Sequence, residues 1–352
     1  MQKQLRFSAL DGLRGFAAVG VFFYHGADLV GFRVASGYLA VDFFFCLSGF
    51  VIAAAYEQKL LAGEPLLRFL TARLTRLYPV YLLGMAIGLL FVLFRLWRDG
   101  TPAGAADFLA ALGLGLLFLP SPPALVQSFS THMFPFVVQS WSLFYELAAN
   151  LCYAIMIPFL KSLRLVVILL LIFPFLLTAA LASGTVDLGP EWETIVAGFA
   201  RAFFSFFLGV LLLRLRLPSA LFPGWVAWVC VIVLLAALLV ETGSSALQAA
   251  YDLVLVVFVF PVLILAAGAT SEGPRSRAIF SFMGAASYPL YILHGPILYW
   301  VRSALAAFQM EAQSIPHAFW LSSCALFIVV CGLVDAFYER PAIRWLRSKA
   351  GV

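Results

Sequence analysis

The chain has 352 residues, 64% of them hydrophobic and 11% charged, with a mean hydropathy of +1.02. That composition excludes a soluble globular protein and implies one all-α, polytopic transmembrane helical bundle over 1–352, because the apolar stretches follow one another from Leu13 to Tyr338 with no polar block long enough for a separate module. The net charge of +5 does not point to a nucleic-acid partner, since Lys and Arg concentrate in short loops, where orientation across a bilayer places them.

The first apolar segment, 12–30, follows Lys3 and Arg6, lacks a small-residue cleavage site, and reads as a retained span and not a signal peptide. Ser8 and Asp11 give it a capping-box-like start. Arg14 and His25 lie within it, eleven residues apart. At about 100° per residue the two side chains share one helix face, about 16 Å apart along the axis, so both are expected to look into one cavity. His25 is either a neutral ring hydrogen-bonded to a neighbouring span or a base able to take a proton from a hydroxyl, and Arg14 either its companion or a cation reaching for headgroups.

The second segment, 38–56, carries Asp42, a candidate partner for His25 or Arg14. It also carries Ser48-Gly49, which permits close helix approach, and no Gly-x-Ser-x-Gly elbow makes Ser48 a nucleophile. A basic stretch with Lys59, Arg68, Arg73 and Arg76 comes next. Arg73 and Arg76, three residues apart, form a compact cationic patch suited to phosphates or to lipid headgroups.

The third segment, 78–96, is followed by a short Gly- and Ala-rich piece at 105–119, expected to lie in or dip into the outer interface. The fourth, 138–160, opens on Ser140-Trp141-Ser142-Leu143-Phe144-Tyr145-Glu146. Trp141 suits an interfacial anchor or a sugar-stacking platform, and Glu146 could bind hydroxyls or orient an imidazole. Six more segments follow at 165–182, 194–213, 222–240, 249–269, 278–301 and 318–338, making ten of a length to cross a hydrocarbon core of about 30 Å. The ninth carries Tyr288-Pro-Leu-Tyr291-Ile-Leu-His294, where Tyr291 and His294 serve either packing or acceptor binding.

The loop charges alternate from Lys161 onward and end in a basic tail of Arg340, Arg344, Arg347 and Lys349, so both termini are expected in the cytoplasm. This leaves Arg95 and Arg98 outside. Arg14, His25, Asp42, Glu146, Arg201, Asp252, His294 and Asp335 all fall within spans, where ionisable groups are expensive and face a cavity or a partner. Cys46, Cys152, Cys230, Cys324 and Cys331 have no short paired spacing, so neither a disulfide framework nor a metal site is expected.

Five blocks together resemble the acyltransferase-3 family of bacterial membrane O-acyltransferases over essentially the whole chain. They are Leu10-Asp11-Gly12-Leu13-Arg14-Gly15 with His25 after ten intervening residues, Val41-Asp42-Phe43-Phe44-Phe45 with Leu47-Ser48-Gly49-Phe50, Arg73-x-x-Arg76-Leu-Tyr-Pro79, Trp141-Ser142-Leu143-x-x-Glu146, and Ser287-Tyr288-x-Leu290-Tyr291-x-x-His294. The resemblance implies an acyl group, usually acetyl, taken from cytosolic acyl-CoA and delivered to a hydroxyl of a carbohydrate or lipid-linked glycan. His25 would be the catalytic base with Arg14 its companion, and Arg73 and Arg76 would hold the CoA phosphates, with Glu146 and His294 at motif positions whose roles are less settled. The setting would be the bacterial inner membrane, acyl-CoA would be a substrate with no permanently bound cofactor, and the form without an appended esterase-like domain would apply. Direct attack on the thioester and an acyl-enzyme relay both remain open. A secondary transporter would also use buried charges among ten spans, though the halves show no repeat. A third reading is acylation of a small secondary metabolite such as a macrolide.

Overall fold

The computed structural model describes residues 7–100 and 104–350, so Lys3 and Arg6 lie outside the described residues. The fold is almost entirely helical, and a helix forms in each of the ten expected segments. Among the described residues, seven helices are long and apolar enough to cross a membrane: Gly37–Leu61, Leu66–Asp99, Ser140–Phe159, Ser162–Ser183, Trp192–Arg214, Ser245–Gly268 and His317–Ala350. The other three fall short for physical reasons. Helix α1 (Ser8–His25) spends three of its 18 residues on Asp11, Arg14 and His25. The helix at 222–240 is only Trp225–Leu239, and the one at 278–301 is diluted with Ser, Gly, Pro and Arg.

Beyond α1 the chain forms α2 (Ala27–Val30), α3 (Ala40–Leu61), α4 (Leu66–Asp99), α5 (Ala105–Leu116), α6 (Pro123–Val126), α7 (Ser140–Met156), α8 (Ser162–Ser183) and α9 (Ile195–Arg214). Then come α10 (Trp225–Leu239), α11 (Ser245–Val254), α12 (Phe260–Gly268), α13 (Pro274–Ala307), α14 (His317–Val334) and α15 (Arg340–Ala350). The sole strand pairing among the described residues is a two-residue parallel bridge of Phe222–Pro223 with Thr270–Ser271.

Several expectations are corrected. The helix expected at 12–30 stops at His25, because Gly26 ends it before the short α2. Ser8 is no cap: the helix starts one residue earlier and the Ser8 hydroxyl donates to Glu272 Oε2 at 2.8 Å. The third span begins well before the expected residue 78, since nothing between Leu66 and Pro79 breaks a helix, and Arg68, Arg73 and Arg76 all belong to α4. Helix α5 needs no such correction: at 12 residues it is about 18 Å long, too short to cross the hydrocarbon, in keeping with a piece that does not span.

Helices α1 and α13 pack side by side and run parallel. Gly12 meets Phe280, Gly15 meets the backbone of Met283, His25 meets His294, and Gly26 meets Leu298. Helices α3 and α9 approach just as closely. A Cβ on Gly49 would sit 1.9 Å from Phe206 O, and one on Gly209 would sit 1.9 Å from Cys46 O, so neither position admits a side chain. Around these pairs the outward faces are apolar: Leu163, Leu170, Leu171 and Phe175 on α8 are well exposed, as a lipid-facing surface requires.

Candidate active site

One cavity, of about 160 Å³, opens among α1, α3, α4, α7 and α13, and Arg14, Ser48, Arg73, Arg76, Glu146 and Tyr291 are among its lining. Three cations from two helices thus meet in one space. Each is braced. Arg14 donates from Nε to Ser287 Oγ at 2.9 Å and from Nη2 to Gly284 O at 3.0 Å, and it pairs with Asp11 at 3.2 Å. Arg73 Nη2 donates to Glu146 Oε1 at 2.9 Å, and the same oxygen accepts from Ser48 Oγ at 2.6 Å. Arg76 lies over the Tyr288 ring, 5.3 Å from its centroid, and pairs with Glu339, which is fully buried. Asp11, Glu146 and Glu339 pair with the three cations one to one, and Arg73 Nε makes no hydrogen bond among the described residues, a donor kept for an anion.

His25 does not line this cavity, which corrects the expectation that it shares one with Arg14. The shared helix face is real, but it faces α13 along its whole length. Arg14 meets Gly284 and Ser287, and three turns later His25 meets His294, so α13 fills the interval between them. Tyr291 closes the cavity at this point, its hydroxyl 2.7 Å from Ser142 Oγ, with the His294 ring 6.1 Å beyond.

The imidazole pair is well defined. His25 Nδ1 lies 3.0 Å from Val21 O and 3.2 Å from His294 Nε2. His294 Nδ1 lies 3.0 Å from Leu290 O. A carbonyl can only accept, so the proton of each ring sits on Nδ1, and the lone pair of His25 sits on Nε2. His294 is fully buried, whereas His25 is exposed at the end of α1. There Arg302 clamps the turn, donating from Nη2 to His25 O at 2.5 Å and to Asp28 Oδ1 at 2.6 Å. The clamp holds the Asp28 carboxyl below the usual carboxylate range, chiefly through the Arg302 hydrogen bond.

Near that end lies a second cavity of about 410 Å³, lined by Tyr24, Tyr38, Asp187, Thr242, Ser244 and Gln248 among others. Tyr24 donates to Asp187 at 3.0 Å, and its ring centroid is 5.1 Å from that of His25. The wall is braced from behind by Asp252, which accepts from the Tyr38 hydroxyl at 2.9 Å, Gln248 Nε2 at 2.8 Å and the Val186 amide at 2.9 Å.

Asp42 partners neither His25 nor Arg14. It is fully buried and receives Arg201 at both oxygens, with Nη2 to Oδ2 at 2.7 Å. Arg201 also donates to Tyr38 O and Leu188 O and lies over Trp141 at 5.5 Å. Trp141 is therefore buried under a cation, neither an interfacial anchor nor an open platform. Glu146 sits in the arginine cavity and does not orient either imidazole.

Sequence reasoning missed Gln139 and Glu339 and gave Ser287 no role beyond its place in a motif. Gln139 donates to His294 Nε2 at 3.3 Å, Ser287 receives Arg14, and Glu339 faces Arg76 from a π-helical turn, Asp335–Glu339, that joins α14 to α15. Ser287 was legible as part of its motif. Glu339 was hidden in a basic tail, because the π turn that swings it inward leaves no periodic signature. Among the described residues no group of three or more His, Cys, Asp or Glu side chains could hold a metal ion.

The chain is 43% identical over 159 residues to "Protein 2 in picA locus" of Rhizobium radiobacter, across 42% of this chain and 81% of that protein. It is 37% identical over 86 residues to the O-acetyltransferase OatA of Staphylococcus aureus, across 24% of this chain and only 14% of that one. With the acyltransferase MdmB of Streptomyces mycarofaciens it shares 30% identity over 162 residues, 42% of this chain and 38% of the relative. No solved structure matches. The family model of the acyltransferase domain matches residues 7–336, nearly the whole chain, and the protein belongs to the acyltransferase-3 family of multi-pass membrane acyltransferases.

Proposed function

We propose that the protein moves an acyl group, in the first instance acetyl, from acyl-CoA to a hydroxyl of a carbohydrate or lipid-linked glycan at the bacterial inner membrane. The observation that carries this reading is the division of the site along α1 and α13, with three arginines around one cavity and an exposed imidazole three turns away beside a polar cavity. Arg73 and Arg76 take the donor phosphates at the end of the bundle that faces the cytoplasm, with both termini on the same side. The long flexible arm of CoA then carries the thioester along the roughly 16 Å between Arg14 and His25.

The acceptor enters from the opposite face. The second cavity offers aromatic rings, the carboxylates of Asp187 and Glu241, the Arg33 guanidinium and hydroxyls, the groups that recognise a polyhydroxylated molecule and not an acyl chain. His25 Nε2 takes the proton from the acceptor hydroxyl, and its oxygen attacks the thioester carbonyl. The carbon–sulfur bond breaks, and the departing thiolate takes the proton from His25 Nε2, which restores the base. Contact between the two substrates requires the Tyr291–Ser142 closure to open.

The test is His25→Ala in cells and native membranes. The expected result is a folded, membrane-inserted protein, loss of acetyl-CoA consumption above a background lacking the gene, and surface glycans lighter by the mass of an acetyl group. Full activity of that variant would remove His25 as the base.

A further inference from the structure

We propose that Gln139 is a positioning residue that fixes the tautomer of the His25–His294 pair, an inference that rests on the reading of His25 as the base. Gln139 precedes α7, is 5% exposed, and directs its amide Nε2 at His294 Nε2 from 3.3 Å. The amide nitrogen can only donate, so it requires a lone pair on His294 Nε2. Leu290 O demands the same tautomer from the other side of that ring. His294 Nε2 then has no proton to offer His25 and can only accept from it. The His25 proton is thereby held on Nδ1, between His294 Nε2 and Val21 O, and Nε2 is left as the basic atom.

A second feature of the fold is shaped around this amide. Gly295 follows His294 on α13, and a Cβ there would stand 2.3 Å from both Nε2 and Oε1 of Gln139. Only glycine leaves room for the amide at the ring. The remaining titratable or charged groups around the pair are Tyr291 on α13, Tyr24 on α1, Asp187 in the loop before α9, and Arg302, which donates to His25 O and pairs with Asp28 on α2. None of them touches His294 Nε2, so apart from His25 the amide is, among the described residues, the one side chain bonded to this nitrogen, and it reinforces there the tautomer that Leu290 O favours at Nδ1.

The chemistry of the substitution distinguishes positioning from packing. Gln139→Glu keeps the shape. Its carboxyl donates like the amide when protonated, but when ionised it accepts: its proton passes to His294 Nε2 while Leu290 O keeps the one on Nδ1, and the resulting imidazolium donates to His25 Nδ1 and shifts the His25 proton to Nε2. Gln139→Leu removes the donor without reversing it.

The experiment measures acetyl-CoA turnover against pH in native membranes carrying the full-length wild type, His25→Ala, Gln139→Glu or Gln139→Leu, with the amount of folded protein measured for each. The expected Gln139→Glu profile is inverted: activity approaching wild type on the acid side, and a loss of kcat on the order of a hundredfold on the alkaline side, the scale of a general base's contribution. The KM for acetyl-CoA stays unchanged. Gln139→Leu should lose on the order of tenfold with no inversion, so that the conservative variant is the worse of the two at alkaline pH. A structural role alone predicts the opposite order and a pH profile parallel to wild type, and that result with His25→Ala inactive overturns this inference only. Activity of His25→Ala at the wild-type level overturns the base and, with it, the role of Gln139.

Discussion

His294 Nε2 lies 3.2 Å from Nδ1 of His25, joining two helices whose histidines are 269 residues apart in the chain. One ring is sealed among side chains and the other is exposed, so the pair couples the interior of the bundle to one of its faces. That face is the one away from the arginine cavity. Tyr291, one turn before His294, is the side chain that separates them.

Tyr291→Phe should therefore loosen the boundary without unfolding the protein. Ser142 keeps its bond to Gln139 O at 2.9 Å, so the loss is a single hydrogen bond, about 1 kcal/mol. The expected outcome is a rise in acetyl-CoA hydrolysis relative to glycan acetylation, read as free CoA released per acetyl group found on glycan. An unchanged ratio would mean that the Tyr291–Ser142 contact is not a closure.

Arg73 and Arg76 are predicted to act together on the donor but to differ in stability. Replacing either with Ala should raise the KM for acetyl-CoA by on the order of tenfold or more, the worth of a charge-assisted hydrogen bond. Arg76→Ala also strands Glu339, which is fully buried, at a cost of about 3–5 kcal/mol. Glu146 is partly exposed and retains Ser48 when Arg73 is removed. Thermal unfolding in detergent should thus separate the two variants while KM does not, and an unchanged KM in both would reduce the pair to topological anchors.

Asp42 and Arg201 are predicted to be structural. Arg201→Met leaves the buried Asp42 carboxylate without its cation, costing about 3–5 kcal/mol, and Asp42→Asn leaves the buried Arg201 with only Asp187, 3.6 Å away. The amount of folded protein should fall steeply, while kcat per folded molecule stays near wild type. A full yield of folded protein with no turnover would place Asp42 in the chemistry instead.

The Arg302–Asp28 clamp makes the His25 end acid-sensitive. The folded-state carboxyl of Asp28 is depressed, so its contribution is fully present above the ordinary carboxylate pKa and is lost as pH falls through the lowered folded value. Hydrogen exchange in residues 25–31 should therefore rise as pH is lowered from neutral to below about 4, after correction for the intrinsic rate. In Asp28→Asn the segment should be equally open at both pH values. Identical exchange in the two proteins would dismiss the clamp.

Much of this was legible in the chain. Mean hydropathy and the spacing of apolar runs determine an all-α membrane protein, since a backbone in hydrocarbon must satisfy its hydrogen bonds internally. Helical periodicity likewise determines that Arg14 and His25 share one face, and three-residue spacing puts Arg73 beside Arg76. Partner choice was not legible. Nothing in its own segment assigns Asp42 a particular cation, and it met Arg201 because Gly49 and Gly209 let α3 and α9 approach to backbone contact. Whether Arg14 and His25 open into one space depended on which side chains of α13 fill the interval, and Tyr291 and His294 fill it. Gln139 and Glu339 became visible only when distant helices were assembled. A helix fixes the direction of each of its side chains through local geometry, but what stands opposite is set by the packing of segments hundreds of residues apart, and periodicity within one segment carries no record of that.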